Sequence, residues 1–204
     1  IRRKDSLTNR SETPQHLLRY LMRFSLALAH PQVYSQRSVW IEENQGSWLD
    51  LAHGKFEIAN ERGRTTCGGT PYLGLRESGA QEGLAFHILP CGNWVARVHA
   101  YAIQQTATTA VVELGMADED LDLVLAPGET FDAPEVLVHS LPDGEPASGA
   151  PILHAYLRER VFAGMKQEPP LIYNTWFYQF DRLEPASLRE QLRAAREIGC
   201  EVFV

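Results

Sequence analysis

At 204 residues with 44% hydrophobic content, the chain can bury a sizeable core and is not a disordered segment. Its 26 acidic residues outnumber 19 Lys and Arg, a formal net charge of -7, so no electrostatic reason exists to expect binding to a nucleic-acid backbone or to anionic lipid. No run approaches the roughly 18 consecutive apolar residues of a membrane-spanning helix.

The chain starts on the basic Ile1-Arg2-Arg3-Lys4, without a methionine, and continues into polar residues instead of the apolar core of a signal peptide. It reads as a sequence that begins in mid-protein. Asn9-Arg10-Ser11 has the form of a glycosylation acceptor, a pattern too short to carry weight. From Leu18 to Leu28 the apolar residues take every second position (Leu18, Tyr20, Met22, Phe24, Leu26, Leu28), with Arg19, Arg23 and Ser25 between them. That is strand periodicity, because a helix would scatter the same residues around its whole surface.

The alternation recurs at Leu84, Phe86 and Ile88; at Trp94, Ala96 and Val98; at Thr108, Ala110, Val112 and Leu114; and at Leu121, Leu123 and Leu125. Turn formers separate these runs at Pro90-Cys91-Gly92-Asn93, from Gly115 to Asp120, and at Pro127-Gly128-Glu129-Thr130. An antiparallel β-sandwich is predicted.

Asp143 to Gly149 reads as a loop, and Ala150 to Phe162 as a connecting helix carrying Ile152, Tyr156, Leu157 and Val161, followed by the linker Gln167-Glu168-Pro169-Pro170. Leu171-Ile172-Tyr173 is then a short strand, and Pro185 opens a helix with Leu188, Leu192, Ala195 and Ile198 on one face. Gly199 stops that helix, and Val202-Phe203-Val204 forms another strand. Strand, helix, strand predicts a parallel βαβ unit. The predicted organisation is a sandwich over 1–149, a connecting helix and linker over 150–168, and a βαβ segment over 169–204.

Several residue groups invite chemistry and fail its requirements. His16, His30, His53, His87, His99, His139 and His154 contain no His-x-x-x-His pair, so no metal site is predicted, and His87, His99 and His139 are assigned to strand faces. Asp118-Glu119-Asp120 with Asp122 lacks the glycine and terminal glutamate of a calcium loop and reads as a solvated turn. Gly63 and Gly68-Gly69 match no phosphate-binding pattern, and the glycine pair before Thr70-Pro71 reads as a turn. Cys67, Cys91 and Cys200 form neither a disulfide framework nor a Cys-x-x-Cys pair, the pattern of free thiols in a reducing, cytoplasmic compartment. Trp40, Trp48 and Trp94 could form a sugar platform, which would make the chain a non-catalytic carbohydrate-binding or assembly module.

Pro170 to Trp176, Phe180-Asp181, and Glu197 to Val204 together resemble the opening of the catalytic barrel of glycoside hydrolase family 36, which contains the melibiase-type α-galactosidases. The family shows a strand ending in Asn-x-Trp, a helix, and a second strand leading into Asp-Asp-Gly-Trp, and this sequence stops just short of that last motif. Leu125 to Phe131 with Pro134-Glu135 resembles the family's Pro-Gly-Glu turn before the last sandwich strand. Arg64 to Tyr72 is a looser match to a segment where many members carry Ser-His-x-x-Asn-Pro-Phe, and the histidine and asparagine are missing here.

The resemblance implies a mainly β chain: an antiparallel supersandwich, a linker helix, and the first βαβ of a truncated (β/α)8 barrel. It implies a parent enzyme that cleaves terminal α-galactosides of melibiose or raffinose type with retention, by two carboxylates about 5 Å apart. Both catalytic aspartates would lie on later barrel strands, leaving this fragment inactive alone and without a cofactor. A same-family galactosyltransferase or α-N-acetylgalactosaminidase is the alternative within the family, and the parent is expected to be a homo-oligomer. From position alone Trp176 could plug the barrel top or line the pocket. The resemblance implies the pocket, where its ring would stack on the apolar face of a sugar. Asn174 and Tyr178 are weaker substrate-binding candidates: Asn174 could equally fix the strand end, and Tyr178 departs from the small or polar residues common nearby in the family.

Overall fold

The computed structural model describes residues 1–89, 92–103, 107–164 and 169–204, without the side chains of 102, 103, 107 and 108. Pro90 and Cys91 of the predicted turn and Gln167 and Glu168 of the predicted linker therefore lie outside the described residues, as does the Thr108 side chain. Two compact units result, Ile1–Tyr156 and Leu157–Val204.

Fourteen strands are described in the first unit: β1 (Arg2–Arg3), β2 (Ser6–Thr8), β3 (Gln15–Leu17), β4 (Leu21–Ala27), β5 (Pro31–Val39), β6 (Glu42–Asp50), β7 (Gly54–Asn60), β8 (Gly68–Glu77), β9 (Gly83–Leu89), β10 (Trp94–Ile103), β11 (Ala107–Met116), β12 (Leu123–Leu125), β13 (Thr130–Asp132) and β14 (Glu135–Leu141). Helix α1 (Pro146–Tyr156) follows. The strands pair antiparallel into a six-stranded sheet ordered β1-β14-β9-β8-β5-β6 and a four-stranded sheet ordered β4-β11-β10-β7, with β12-β3 and β13-β2 as two-stranded ribbons.

Period-two patterning sets which face of each strand is buried. Met22, Val98, Val112 and Leu114 from the smaller sheet meet Val33, Leu73, Phe86, Ile88 and Val136 from the larger one in a single core. Each such side chain contributes about 1.5–3 kcal/mol when fully removed from water. Trp94 is fully buried, and its indole N–H donates to the Thr65 carbonyl at 2.7 Å, so the largest core residue leaves no polar atom unpaired. The antiparallel sandwich predicted from the sequence is the fold of this unit.

The differences from the predicted elements have local causes. Leu18 lies outside β4 and is exposed, so the strand begins at Leu21. β11 continues through Gly115 and Met116, because Gly115 lets the strand pack directly on the Tyr20 backbone, where a Cβ would overlap the carbonyl oxygen. Gly68 and Gly69 open β8 instead of forming a turn, and Gly69 leaves room for the Ile58 side chain. α1 starts at Pro146, not Ala150: proline suits a first helical turn, and the Glu145 N–H bonded to the Asp143 carboxylate at 2.9 Å fixes the approach. Leu123 to Leu125 form β12, while Leu121 precedes it.

The second unit opens with a π-helical turn, Leu157–Val161, closed by the Phe162 N–H on the Leu157 carbonyl at 2.8 Å. β15 (Ile172–Tyr173), α2 (Trp176–Gln179), α3 (Pro185–Glu197) and β16 (Val202–Phe203) complete it. β15 and β16 pair parallel, Ile172 with Val202 and Tyr173 with Phe203, as the βαβ reading requires. Pro185 stands at the first turn of α3, and Gly199, at φ 86°, ends it in the left-handed conformation that glycine adopts without strain. Leu188, Leu192, Ala195 and Ile198 keep the helical spacing of one face, but burial within this unit is uneven along it. The buried residues of α3 are Gln191 and Ala195, whereas Leu192 and Ile198 are exposed.

Candidate functional site

The carboxyl end of β15 carries the residues singled out from the sequence. Asn174 follows the strand directly, and its side-chain oxygen accepts the Trp176 N–H at 2.9 Å, a closed turn that sets where the Trp176 backbone begins α2. Between them, buried Thr175 donates both its backbone N–H (2.8 Å) and its hydroxyl (2.9 Å) to the Val204 carbonyl, tying the turn to the neighbouring strand end. The Thr175 carbonyl then accepts from Tyr178 N–H and Gln179 N–H, which starts the short helix.

Trp176 is 43% exposed, with its ring edge-to-face on Phe180 at 5.4 Å. Within this unit it is not a core residue. Phe180 holds φ 51°, outside the range usual for a bulky side chain. Tyr178 is mostly exposed and sits two residues beyond Trp176, about 200° around the helix, so the two do not share a face. The structure thus joins Asn174 to Trp176 and leaves Tyr178 apart from them.

Beneath this turn, Tyr173 and Phe203 stack across the parallel pair at 5.4 Å, and the Tyr173 hydroxyl donates to Gln191 of α3 at 3.1 Å. Thr175 and Phe180 were read from the sequence only as members of the family motif, without a role, and Gln191 was not read as part of this region. The one available signal was a buried-type polar residue, Gln191, on the helix face that should have been apolar. Phe177 and Leu183 are also exposed, so this strand end presents aromatic and aliphatic surface together with the amide of Asn174. Aromatic rings beside a few polar groups suit the C–H faces and hydroxyls of a sugar.

Among the described residues no group of three His, Cys, Asp or Glu could hold a metal ion, and no helix is long and apolar enough to cross a membrane. His87, His99 and His139 lie on strands β9, β10 and β14. Asp118 of the acidic run is more than a solvated charge. Arg97 reaches both its oxygens (2.6 and 3.0 Å) and Arg19 one (2.7 Å), which holds its carboxyl far below the usual range. Buried Asn9 donates to the carbonyls of Thr13 and Leu125, both at 2.9 Å, so its amide is a structural clamp. The platform of three tryptophans is not formed, because Trp94 lies in the core while Trp40 is exposed at the β5–β6 turn.

No protein-family profile matches the chain. In sequence it is 26% identical over 174 residues to α-galactosidase AgaA of Geobacillus stearothermophilus, covering 82% of this chain and 22% of that protein. It is 27% identical over 161 residues to α-galactosidase 1 of Pediococcus pentosaceus, covering 76% of this chain and 21% of that protein. In fold, 97% of the chain superposes on the α-galactosidase of Lactobacillus brevis with a TM-score of 0.81 and 20% identity, over 27% of that structure. The same share superposes on AgaA, described as a family 36 enzyme, with a TM-score of 0.79 and 23% identity, over 28% of that structure. The chain thus spans about a quarter of the length of the proteins it resembles. The resemblance carried by its motifs is borne out: this chain has the N-terminal β-sandwich fold of the glycoside hydrolase family 36 α-galactosidases.

Proposed function

We propose that the chain is the N-terminal part of a retaining glycoside hydrolase that removes terminal α-galactosyl residues, with both catalytic carboxylates outside these 204 residues. In this reading 1–149 is the sandwich, 150–168 the connecting helix and linker, and 169–204 the first strand, helix and second strand of a (β/α)8 barrel. The observation that carries it is the parallel pair β15–β16 with Asn174 and Trp176 at its carboxyl end, following a sandwich similar in sequence to α-galactosidases. Active sites of such barrels form at the carboxyl ends of the strands.

Trp176 would line the sugar pocket, positioned through the Asn174 turn, and Tyr178 would contribute at the rim. Raffinose and stachyose occupy variants of the Geobacillus AgaA in solved structures, which makes raffinose-type α-galactosides the substrate class to test first. The exposed Leu192, Ile198 and Ile172 supply apolar surface of the kind that further barrel elements cover. Reading the coding sequence that follows Val204 tests the assignment. An Asp pair followed by Gly-Trp is expected within a few residues, and a continuation without it would remove the barrel reading.

A further inference from the structure

The outer face of the six-stranded sheet, turned away from the core, carries a row of rings. Trp48 meets Tyr34 at 5.4 Å, Tyr34 meets Tyr72 at 6.2 Å, and Tyr72 meets His87 at 5.8 Å. Strand register produces the row, because Tyr34 pairs with Trp48 and Tyr72 with His87 across neighbouring strands. Gly46 and Gly74 make room for it, since a Cβ at either position would collide with Tyr34.

At its His87 end, beside α1, the row borders a cavity of about 540 Å³. Small-molecule sites are typically about 300–1,000 Å³. Buried Thr70 donates to the Gln36 amide oxygen at 2.9 Å on one wall, and exposed His154 of α1 stands on another. Thr65 and Thr66 form a lip whose loop is held rigidly. The Asn60 amide bonds the carbonyls of Arg64 and Cys67, and Trp94 bonds that of Thr65. The cavity is therefore shaped by the core beneath it.

Its chemistry is selective. Among the described residues the lining contains hydroxyls, amides, imidazoles and apolar surface, and no Asp, Glu, Lys or Arg. A phosphate or carboxylate ligand would meet no fixed positive charge, and a cation no carboxylate. A purely apolar ligand would strand the polar groups. A saccharide matches what is there: its hydroxyls both donate and accept, as Thr and the side-chain amides do, and its C–H face packs on rings such as Tyr72 and His87.

We infer that this cavity is a binding site for a neutral mono- to trisaccharide, built on the sandwich by Gln36, Thr70, Tyr72, His87 and His154. The inference does not depend on the proposed hydrolase activity. Burial supports it by keeping His87 neutral at pH 7, its pKa pushed down to about 4.

The test is calorimetric titration of the 204-residue chain with galactose, sucrose and raffinose, using glucose 6-phosphate as the charged comparator. Saturable millimolar binding of at least one neutral sugar is expected, with the phosphate ester at least tenfold weaker. Thr70→Val, which keeps the side-chain shape, and His154→Ala, on the exposed helix surface, should each weaken binding about fivefold or more, equivalent to about 1 kcal/mol for a lost hydrogen bond. Absence of saturable binding by all three sugars, equal or tighter binding of the phosphate ester, or unchanged affinity in both variants would overturn the assignment.

Discussion

Replacing His87 by glutamine should flatten the acid side of the sandwich's stability profile. His87 is largely buried on β9, its Nδ1 has no hydrogen-bond partner, and burial pushes its pKa from 6.5 down to about 4, with the nearby His139 adding a smaller push. The unfolded chain takes up this proton as pH falls through 6.5, whereas the folded chain resists until about 4. Stability from the neutral imidazole is therefore fully present above pH 6.5 and is lost as pH falls toward 4. At pH 5 proton uptake favours the unfolded state by about 1.5 pK units, or about 2 kcal/mol at 1.36 kcal/mol per unit. Most carboxylates remain ionised there, so the window isolates the histidines. Urea unfolding at pH 7.5 and pH 5, followed by the fluorescence of the buried Trp94, measures the loss directly. The parent chain should lose about 2 kcal/mol more than the His87→Gln chain across this interval. Equal losses in the two would show that His87 does not carry this pH dependence.

Asp118→Asn should cost about 1–2 kcal/mol at pH 7, since it weakens the shielded pairing with Arg97 and the exposed one with Arg19. Because the Asp118 pKa is lowered, that difference should start to shrink as pH falls through the usual carboxylate value and disappear only below the lowered folded-state value, so denaturation of both chains should show a smaller difference at pH 2.5 than at pH 7. Gly115→Ala should destabilise by about 2 kcal/mol or more, because its Cβ meets backbone that cannot rotate away, and a melting temperature within a degree of the parent chain would contradict it. Trp176→Ala should change the stability of this chain by less than about 1 kcal/mol, given its exposure. On the proposed pocket role, the same change in the full-length protein should lower kcat/KM for raffinose about 10- to 100-fold, as loss of a stacking contact does.

The strands legible in the sequence were those with one dry face and one wet face. Met22, Phe24 and Leu26 of β4 alternate with Arg23 and Ser25, and Phe86 and Ile88 of β9 stand out equally well. β5 and β6 gave no such signal. In β5 the outward positions hold Tyr34 and Gln36 while the inward side includes Ser35, and β6 runs polar from Glu42 to Ser47 at the sheet edge. Gly149 suggested a loop, yet it lies inside α1 because His139 and Leu141 pack where its Cβ would be. Asn174 and Trp176 were found through a contiguous motif. The cavity was not, since Gln36, Thr70, His87 and His154 are spread over more than a hundred residues and only strand pairing and the packing of α1 on β14 bring them together.

On the proposed assignment, this chain supplies the scaffold and first barrel strands of an α-galactosidase whose acidic catalytic groups come from elsewhere in the protein. Hydrolysis of an aryl α-galactoside, measured side by side for the full-length protein and for the purified 204-residue chain, tests it most directly. Turnover by the full-length protein and none by the chain alone is the predicted result. Turnover by the 204 residues, or its absence in the full-length protein, would overturn this assignment.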